Sequence, residues 1–307
     1  MWAARLTEGR LAGAARWAGR TAAGRLAVGT VVTSSRNRIT GLAGEAAFFT
    51  LLSLPPLLLG LVGLLGYLAG ALGADTLGQT RELLLGGAGA VLSPQSVAEV
   101  VRPALDDVLG TGRAGVSAAG FVVALWSGSR ALNVYIDAIT VLYDLSGQRG
   151  VIRQRAMSVA LYALGLVAGV ALVPLLAVGP NVLVQLLPAA DALIRWVYWP
   201  AVLLLSTLFL ATLYALSVPV RTPWREHLPG AAVALLVWVG GSAGLRGYLA
   251  LTIENSPLYG ALSAPIAVLL WVYVTALAVL VGAAVNAELD RLHPDRTTAR
   301  TRAEATG

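Results

Sequence analysis

The sequence predicts an all-α, polytopic membrane protein with six transmembrane helices, an N-terminal interfacial helix and short amphipathic helices in the first outer connection. Composition is the first observation behind this prediction, because 57% of the 307 residues are hydrophobic and only 12% are charged. The mean hydropathy of +0.75 is well above that of an ordinary soluble domain. The second observation is that residues 41–289 contain six apolar segments, each of about 20 residues or more, the length that crosses a bilayer.

The residue types that are missing exclude several kinds of chemistry. The chain has no cysteine and all 22 basic residues are arginine, so thiolate, disulfide and Schiff-base lysine chemistry are excluded. Its two histidines, His227 and His293, form no HxH or HExxH spacing, and no Walker loop or nucleophile elbow occurs. The sequence therefore predicts no metal, no cofactor and no enzymatic activity.

Residues 1–40 are predicted to form a cytoplasmic arm on the membrane surface. Seven arginines occur here against the single acid Glu8, and tryptophans and leucines are interleaved with them. A helix of this composition turns its arginines toward anionic headgroups and places its apolar residues in the interface. We therefore expect an interfacial helix that contacts anionic lipids.

The first span, predicted at residues 46–70, contains Pro55 and Pro56 in its middle. Two prolines remove two backbone donors and should kink or break the helix, either as a packing kink or as a discontinuity that lines a substrate path. The connection that follows, residues 71–114, has three arginines against five acids. Its Ser93-Pro94 pair is typical of a helix start, which predicts two short helices on the outer face.

The other five spans are predicted at 116–143, 156–178, 197–218, 228–252 and 262–287. We place Pro200 near the start of the fourth span, where a proline costs little. The second span is the most polar, since it carries Arg130, Asn133 and Asp137. Residues 41–289 thus form the membrane domain, and 290–307 a disordered cytoplasmic tail.

The arginines indicate which way the protein sits in the membrane. Sixteen of them fall in the arm, the second-to-third and fourth-to-fifth connections and the tail, whereas four fall in the other three connections. Arginine-rich connections stay on the cytoplasmic side. Both termini are therefore predicted to be cytoplasmic.

A few polar residues inside or beside the spans are the candidate site. Arg130, Asn133 and Asp137 follow each other at spacings of 3 and 4, which places them on one helix face. The other candidates are Arg246 and Tyr248 in the fifth span and Glu45 at the start of the first, with Glu288 as a further counter-charge. Three roles are open: interhelical salt bridges, an anion site in which arginine binds lipid phosphate, and proton coupling through a carboxylate.

Three stretches of the sequence resemble the YihY/BrkB family of bacterial inner-membrane proteins. They are GEAAFFTLLSLPP at 44–56, WSGSRAL at 126–132, and PGA at 229–231 followed by LWVY at 270–273 and GAAVNAEL at 282–289. The sequence departs from the family pattern at Phe49, where members often have tyrosine, and at the doubled proline. The resemblance implies a six-helix fold in the cytoplasmic membrane with both ends in the cytoplasm.

The resemblance implies no settled activity. The family name has been tied to a ribonuclease and to serum resistance, and members have been suspected of lipid or envelope-precursor transport. The sequence is interpreted as a transporter or flippase-like path for an anionic lipid or envelope precursor, with Arg130, Asp137 and Arg246 along the path. The alternative is a non-transporting scaffold in an envelope-assembly complex. Anionic lipids and an envelope protein are the expected partners, nucleic acid is not, and the oligomeric state is left open.

Overall fold

The computed structural model describes residues 21–53, 114–166, 191–220, 222–252 and 263–293, and single residues between 82 and 103. The described elements are helices α1 (Ala22–Arg36), α2 (Ile39–Ser53), α3 (Ala114–Leu142), α4 (151–166), α5 (Asp191–Ser217), a short 3-10 helix (Trp224–His227), α6 (Leu228–Thr252) and α7 (Ser263–Leu292). No strand occurs in these ranges, so the all-α prediction is confirmed for them. Pro55, Pro56, the helices predicted in the outer connection and the tail beyond 293 lie outside the described residues.

Three of the described helices are long and apolar enough to cross a membrane: Trp196–Ser217, Trp224–Leu251 and Ile266–Leu292. Their lengths of 22, 28 and 27 residues exceed the roughly 20 residues that a bilayer requires. The protein is therefore a helical membrane protein. The count of six spans stays a prediction.

The apolar part of α5, Trp196–Ser217, agrees with the predicted fourth span at 197–218 to within one residue at each end. The helix itself begins earlier, at Asp191, so Pro200 is near the start of the span but inside the helix. α7 continues through Leu292, because Asp290 is buried and Arg291 is held by neighbouring side chains. The last helix therefore extends five residues beyond the predicted end of the sixth span at 287, and the disordered tail stays a prediction.

The described part of the arm is a helix that docks on the end of α7. The hydroxyl of Thr21 caps it by accepting a hydrogen bond from the Gly24 N–H at 3.1 Å. Thr30 and Thr33 are buried on its inner side. Gly29 lies against Glu288, since a Cβ at this glycine would come within 2.6 Å of a carboxylate oxygen. Contact of this helix with an anionic leaflet stays a prediction.

The core lies where α3, α5 and α7 meet. Ile136, Ile139 and Leu142 of α3 are fully buried, as is Leu280 of α7. The hydroxyl of Tyr214 on α5 donates to the Val279 carbonyl at 2.8 Å, which satisfies a polar group that would otherwise be costly inside an apolar core. This core fixes α3, the helix that carries three of the candidate residues, Arg130, Asn133 and Asp137.

Candidate functional site

Four residues of α3 form a stripe along one side of the helix: Trp126, Arg130, Asn133 and Asp137. Their spacings of 4, 3 and 4 keep them on one face, as the sequence predicted for the last three. Trp126, Arg130 and Asp137 are exposed, and Asn133 is partly buried. We refer to these four residues as the α3 stripe.

The end of the stripe nearest Leu142 is a hydrogen-bonded polar group shared with α4. The Asn133 amide donates to Asp137 at 2.8 Å, and the Gln154 amide of α4 donates to the other oxygen of the same carboxylate. The Ser158 hydroxyl donates to the side-chain amide oxygen of Asn133, Oδ1, at 3.1 Å. Asp137 is therefore held by neutral amides, and its partner across the helix interface is Gln154.

Arg130 stands one turn further along the stripe and packs on an aromatic ring of α2. Its guanidinium carbon is 5.0 Å from the centre of the Phe49 ring, a cation-π contact. No carboxylate of the described residues is within ion-pair distance of it. It lies twelve residues before Leu142, about 18 Å along the helix axis.

Arg155 adds a second guanidinium to the stripe. Its guanidinium carbon is 4.5 Å from the centre of the Trp126 ring, and its Nη2 donates to the Trp126 carbonyl at 3.2 Å. From the sequence, Arg155 was expected only to help orient the protein, as one of the three arginines of the second-to-third connection. Arg155 lies in the second turn of α4, three residues before Ser158, which puts the two on the same side of the helix. This spacing could have predicted that Arg155 lies on the side of α4 that contacts α3.

The remaining candidates lie apart from this group. Arg246 and Tyr248 are exposed on α6, and Glu45 is exposed on α2, four residues before Phe49. No hydrogen bond or ion pair joins any of the three to the α3 stripe in the described part of the chain. The structure thus brings together Arg130, Asn133 and Asp137, and does not bring Arg246, Tyr248 or Glu45 to them.

A pocket of about 320 Å³ lies between α3, α4, α5 and α7. Its lining is almost entirely apolar and includes Leu132, Tyr135, Phe209 and Val279, but no residue of the α3 stripe. The hydroxyl of Tyr162, which also lines it, is buried without a hydrogen-bond partner. This pocket is therefore not a chamber lined by the candidate charges.

An ion-pair cluster joins the ends of α1, α3 and α7. Arg291 donates to Asp144 at 2.7 Å, to the Leu142 carbonyl at 3.2 Å and to Glu288. Arg36 of α1 pairs with the other oxygen of Asp144 at 3.0 Å. Glu288 is thus the partner of Arg291 rather than of a deep arginine.

Arg149 caps the C-terminal end of α5. It donates to the carbonyls of Leu216 and Ser217 at 2.9 and 3.1 Å, groups that have no partner within the helix. A cation at this end also compensates the helix dipole. Burial first, and the charge of Arg153 second, lower the pKa of Arg149, although a guanidinium stays charged at neutral pH.

The start of α6 is fixed by buried hydrogen bonds to α7 and α3. The Asn286 amide accepts from the Gly230 N–H at 2.8 Å and donates to the His227 carbonyl at 3.1 Å. The ring nitrogens of His227 lie 3.5 Å from the Tyr143 hydroxyl and 2.6 Å from the Thr222 hydroxyl. The end of α3 and the start of α6 are therefore at the same level.

Comparison with known families gives this arrangement its context. A sequence model of the family described as virulence factor BrkB matches residues 30–306, nearly the whole chain. The chain belongs to this family. Among the BrkB relatives, the Bacillus subtilis protein named "Putative ribonuclease-like protein YfkH" is 27% identical over 259 residues, 81% of this chain and 89% of the relative.

Two enterobacterial relatives cover shorter parts of the BrkB chain. A UPF0761 membrane protein of Cronobacter sakazakii is 35% identical over 103 residues, 34% of this chain and 36% of its own length. UPF0761 membrane protein YihY of Shigella boydii is 33% identical over 91 residues, 30% of this chain and 31% of its own. No solved structure matches the chain.

The stretches that carry the BrkB resemblance meet in the structure. Gly230 of the PGA stretch packs against Gly282 and Asn286 of the closing stretch so closely that a Cβ at position 230 would overlap them. Phe49 of the first stretch contacts Arg130 of the second. Among the described residues, no group of three or more His, Cys, Asp or Glu side chains could hold a metal ion. The shared stretches thus form two helix contacts, and one of them contains Arg130.

Proposed function

We propose that this BrkB family member is a multi-pass protein of the bacterial cytoplasmic membrane that gives an anionic lipid or envelope precursor a path across the bilayer, and that it is not an enzyme. The observation that carries this proposal is Arg130, an exposed arginine about 18 Å along α3 from Leu142 with no carboxylate partner among the described residues. In the proposed arrangement this position lies deep in the bilayer. A charge at this depth costs about 2.5–3.5 kcal/mol on insertion scales. An anionic ligand or a water-filled groove offsets this cost.

The α3 stripe suits a groove on the protein surface rather than an enclosed chamber. Its residues lead from the polar group at Asp137 to Arg130 and Trp126, and three of the four are exposed. A lipid that moves along such a stripe keeps its tails in the bilayer, where they cost nothing, and needs polar contacts only for its headgroup. Arginine suits the headgroup because its planar fork binds phosphate through two hydrogen bonds and stays charged.

Arg246 extends the proposed path toward the outer side. It lies eighteen residues after Leu228, about 27 Å along α6, whereas Arg130 is about 18 Å from the same level. Exposed Tyr248 lies close by in sequence on the same helix and can contact the interface. In this proposal Arg130 and Arg246 hold the headgroup at two depths, and Asp137 and Glu45 face the cytoplasmic entrance.

Vesicle reconstitution tests the proposal. The full chain is reconstituted into phosphatidylcholine vesicles with a trace of fluorescent phosphatidylglycerol or fluorescent phosphatidylcholine, and loss of inner-leaflet fluorescence to an external quencher is followed. We expect faster movement of phosphatidylglycerol than in protein-free vesicles, and a decrease of about tenfold in Arg130→Ala, the loss of one charge-assisted contact. Arg153→Ala removes the same charge at an exposed position of α4 and should move lipid like the wild type.

A scaffold role in an envelope-assembly complex is the second candidate. It is favoured by the mutual hydrogen bonds of Asn133, Asp137, Gln154 and Ser158, since a polar group satisfied by its own neighbours needs no substrate. Wild-type vesicles that move neither lipid faster than protein-free vesicles would sink the transport proposal and leave the scaffold.

A further inference from the structure

Arg155 joins Arg130 at the α3 stripe from a neighbouring helix. Arg130 projects from the stripe toward Phe49 of α2, whereas Arg155 comes from α4 and packs on Trp126. Trp126 and Arg130 are four residues apart on α3, which makes them neighbours on the helix surface, about 5–6 Å apart at Cβ. The two positions of α3 at which these arginines are anchored, Trp126 for Arg155 and residue 130 itself for Arg130, are therefore one helical turn apart on an exposed face.

The contacts that hold these two arginines leave most of their hydrogen-bond donors open. Each guanidinium lies over an aromatic ring, which covers one face of the planar group and leaves its N–H edges free. Arg155 uses one nitrogen on the Trp126 carbonyl, and Arg130 makes no hydrogen bond within the described residues. Each of the two thus has donors left for a ligand that arrives from the lipid side.

The charges near the pair are unbalanced. Asp137 is seven residues from Arg130, about 10 Å along the helix, and both its oxygens are already taken by Asn133 and Gln154. No carboxylate of the described residues pairs with either arginine. Two positive charges in surroundings of low dielectric favour a ligand that carries two negative charges.

We propose that Arg130 and Arg155, oriented by Phe49 and Trp126, form a binding site for a lipid whose headgroup ends in a phosphomonoester or diphosphate. This inference rests on the proposed function and deepens it, because it names the headgroup class and adds Arg155 and Trp126 to the site. A phosphodiester lipid, with one negative charge, satisfies only one of the two guanidinium groups.

Native mass spectrometry of the detergent-purified full chain tests this site, with phosphatidic acid as phosphomonoester probe and phosphatidylglycerol as phosphodiester probe. We expect the wild type to retain about tenfold more phosphatidic acid than phosphatidylglycerol. Arg155→Gln and Arg130→Gln should each retain about tenfold less phosphatidic acid than the wild type, the effect of one charge-assisted contact. Arg153→Gln, two residues from Arg155, has the same charge change and should retain the wild-type amount. Inorganic phosphate at equal concentration should not displace the lipid.

The inference would be overturned if Arg155→Gln retained as much phosphatidic acid as Arg153→Gln does, or if the wild type retained the two lipids equally. Displacement of the lipid by inorganic phosphate would also overturn it, because the site would then belong to a soluble ligand. Arg155→Lys keeps the charge and loses the fork, so it should still prefer phosphatidic acid but retain less of it than the wild type. If Arg155→Gln does not fold, wild-type retention of phosphatidic acid by Arg155→Lys would overturn the inference. Phosphatidic acid that is bound through Arg155 but never moved in vesicles would contradict the proposed function and leave this site standing.

Discussion

Asn286 bridges two helices, because its amide accepts a hydrogen bond from the Gly230 N–H at 2.8 Å and donates one to the His227 carbonyl at 3.1 Å. All of these groups are buried. Gly230 belongs to the first turn of α6, whose N–H groups have no partner within the helix. A side chain of α7 therefore caps α6, and the two helices approach through Gly230 and Gly282.

Gly230→Ala should lower the stability of the protein by about 1–3 kcal/mol, the usual cost of overpacking. Its Cβ would overlap the Gly282 carbonyl and the Asn286 amide, and neither is free to move. Thermal unfolding in detergent measures the effect. Gly240→Ala on the same helix is the control, since its Cβ meets nothing within 4 Å. Equal melting temperatures for the two variants would contradict this account.

Asn286→Ala should lower the free energy of unfolding by about 1–3 kcal/mol, because it leaves a buried N–H and a buried carbonyl without their partner. Ser242→Ala offers a contrast in α6, because the Ser242 hydroxyl is buried without a hydrogen-bond partner. Removal of that hydroxyl should be neutral or stabilising. The two melting temperatures, compared with the wild type, test both statements.

Asp144→Asn should loosen the junction of α1, α3 and α7. Asp144 has a positive φ of 55°, which asparagine tolerates, so this substitution removes the charge without strain at the turn. We expect the free energy of unfolding to fall by about 1–2 kcal/mol, mainly because the partly buried ion pair with Arg291 is lost. Arg36→Gln should cost less than about 1 kcal/mol, because that arginine side chain is 64% exposed. The two variants are compared with the wild type by limited proteolysis near α1 and by their melting temperatures in low and high salt. High salt should reduce the difference in melting temperature between Asp144→Asn and the wild type, because it screens the ion pair.

Arg149→Gln should destabilise the end of α5 by about 1–2 kcal/mol. It leaves the carbonyls of Leu216 and Ser217 without a donor and removes a cation from the negative end of a helix. Arg153→Gln removes the same charge from an exposed position nearby and should melt like the wild type. If Arg149→Gln also melts like the wild type, the hydrogen bonds of Arg149 do not stabilise the end of α5.

The proposed orientation can be measured by cysteine labelling, because the chain contains no cysteine. Gln148→Cys lies in the exposed turn between α3 and α4, beside Arg149, and should resist an impermeant maleimide added to intact cells. Leu251→Cys, 78% exposed at the far end of α6, should be labelled. The reverse pattern would overturn the orientation with cytoplasmic termini.

Arginine shows how far the sequence could predict this site. Arg130, Asn133 and Asp137 could be placed on one face from their spacing alone, because helix geometry is local. Arg149, Arg155 and Arg291 were counted by connection as orienting charges, yet each has specific partners in the structure. Those partners are 29 or more residues away along the chain in most cases, and no periodicity in one segment reveals a contact of that range.

The helix ends, too, could be predicted from the sequence only in part. The bounds of α6 were predicted as observed, because His227, Leu228 and Pro229 mark a sharp change from polar to apolar residues. The start of α5 and the end of α7 were not. At the end of α7, Asp290 and Arg291 remain helical because Asp290 is buried and Arg291 pairs with Asp144.

The sequence by itself determined that this is an all-helical membrane protein of the BrkB type with a polar face on its second predicted span. These properties depend on hydropathy, helix period and short stretches of sequence, all of which are local. The tertiary structure alone decided that Arg155 joins Arg130 on the α3 stripe, that Asp137 is held by Gln154, and that Asn286 caps α6. Each is a contact between helices, set by how their apolar faces pack rather than by any single segment.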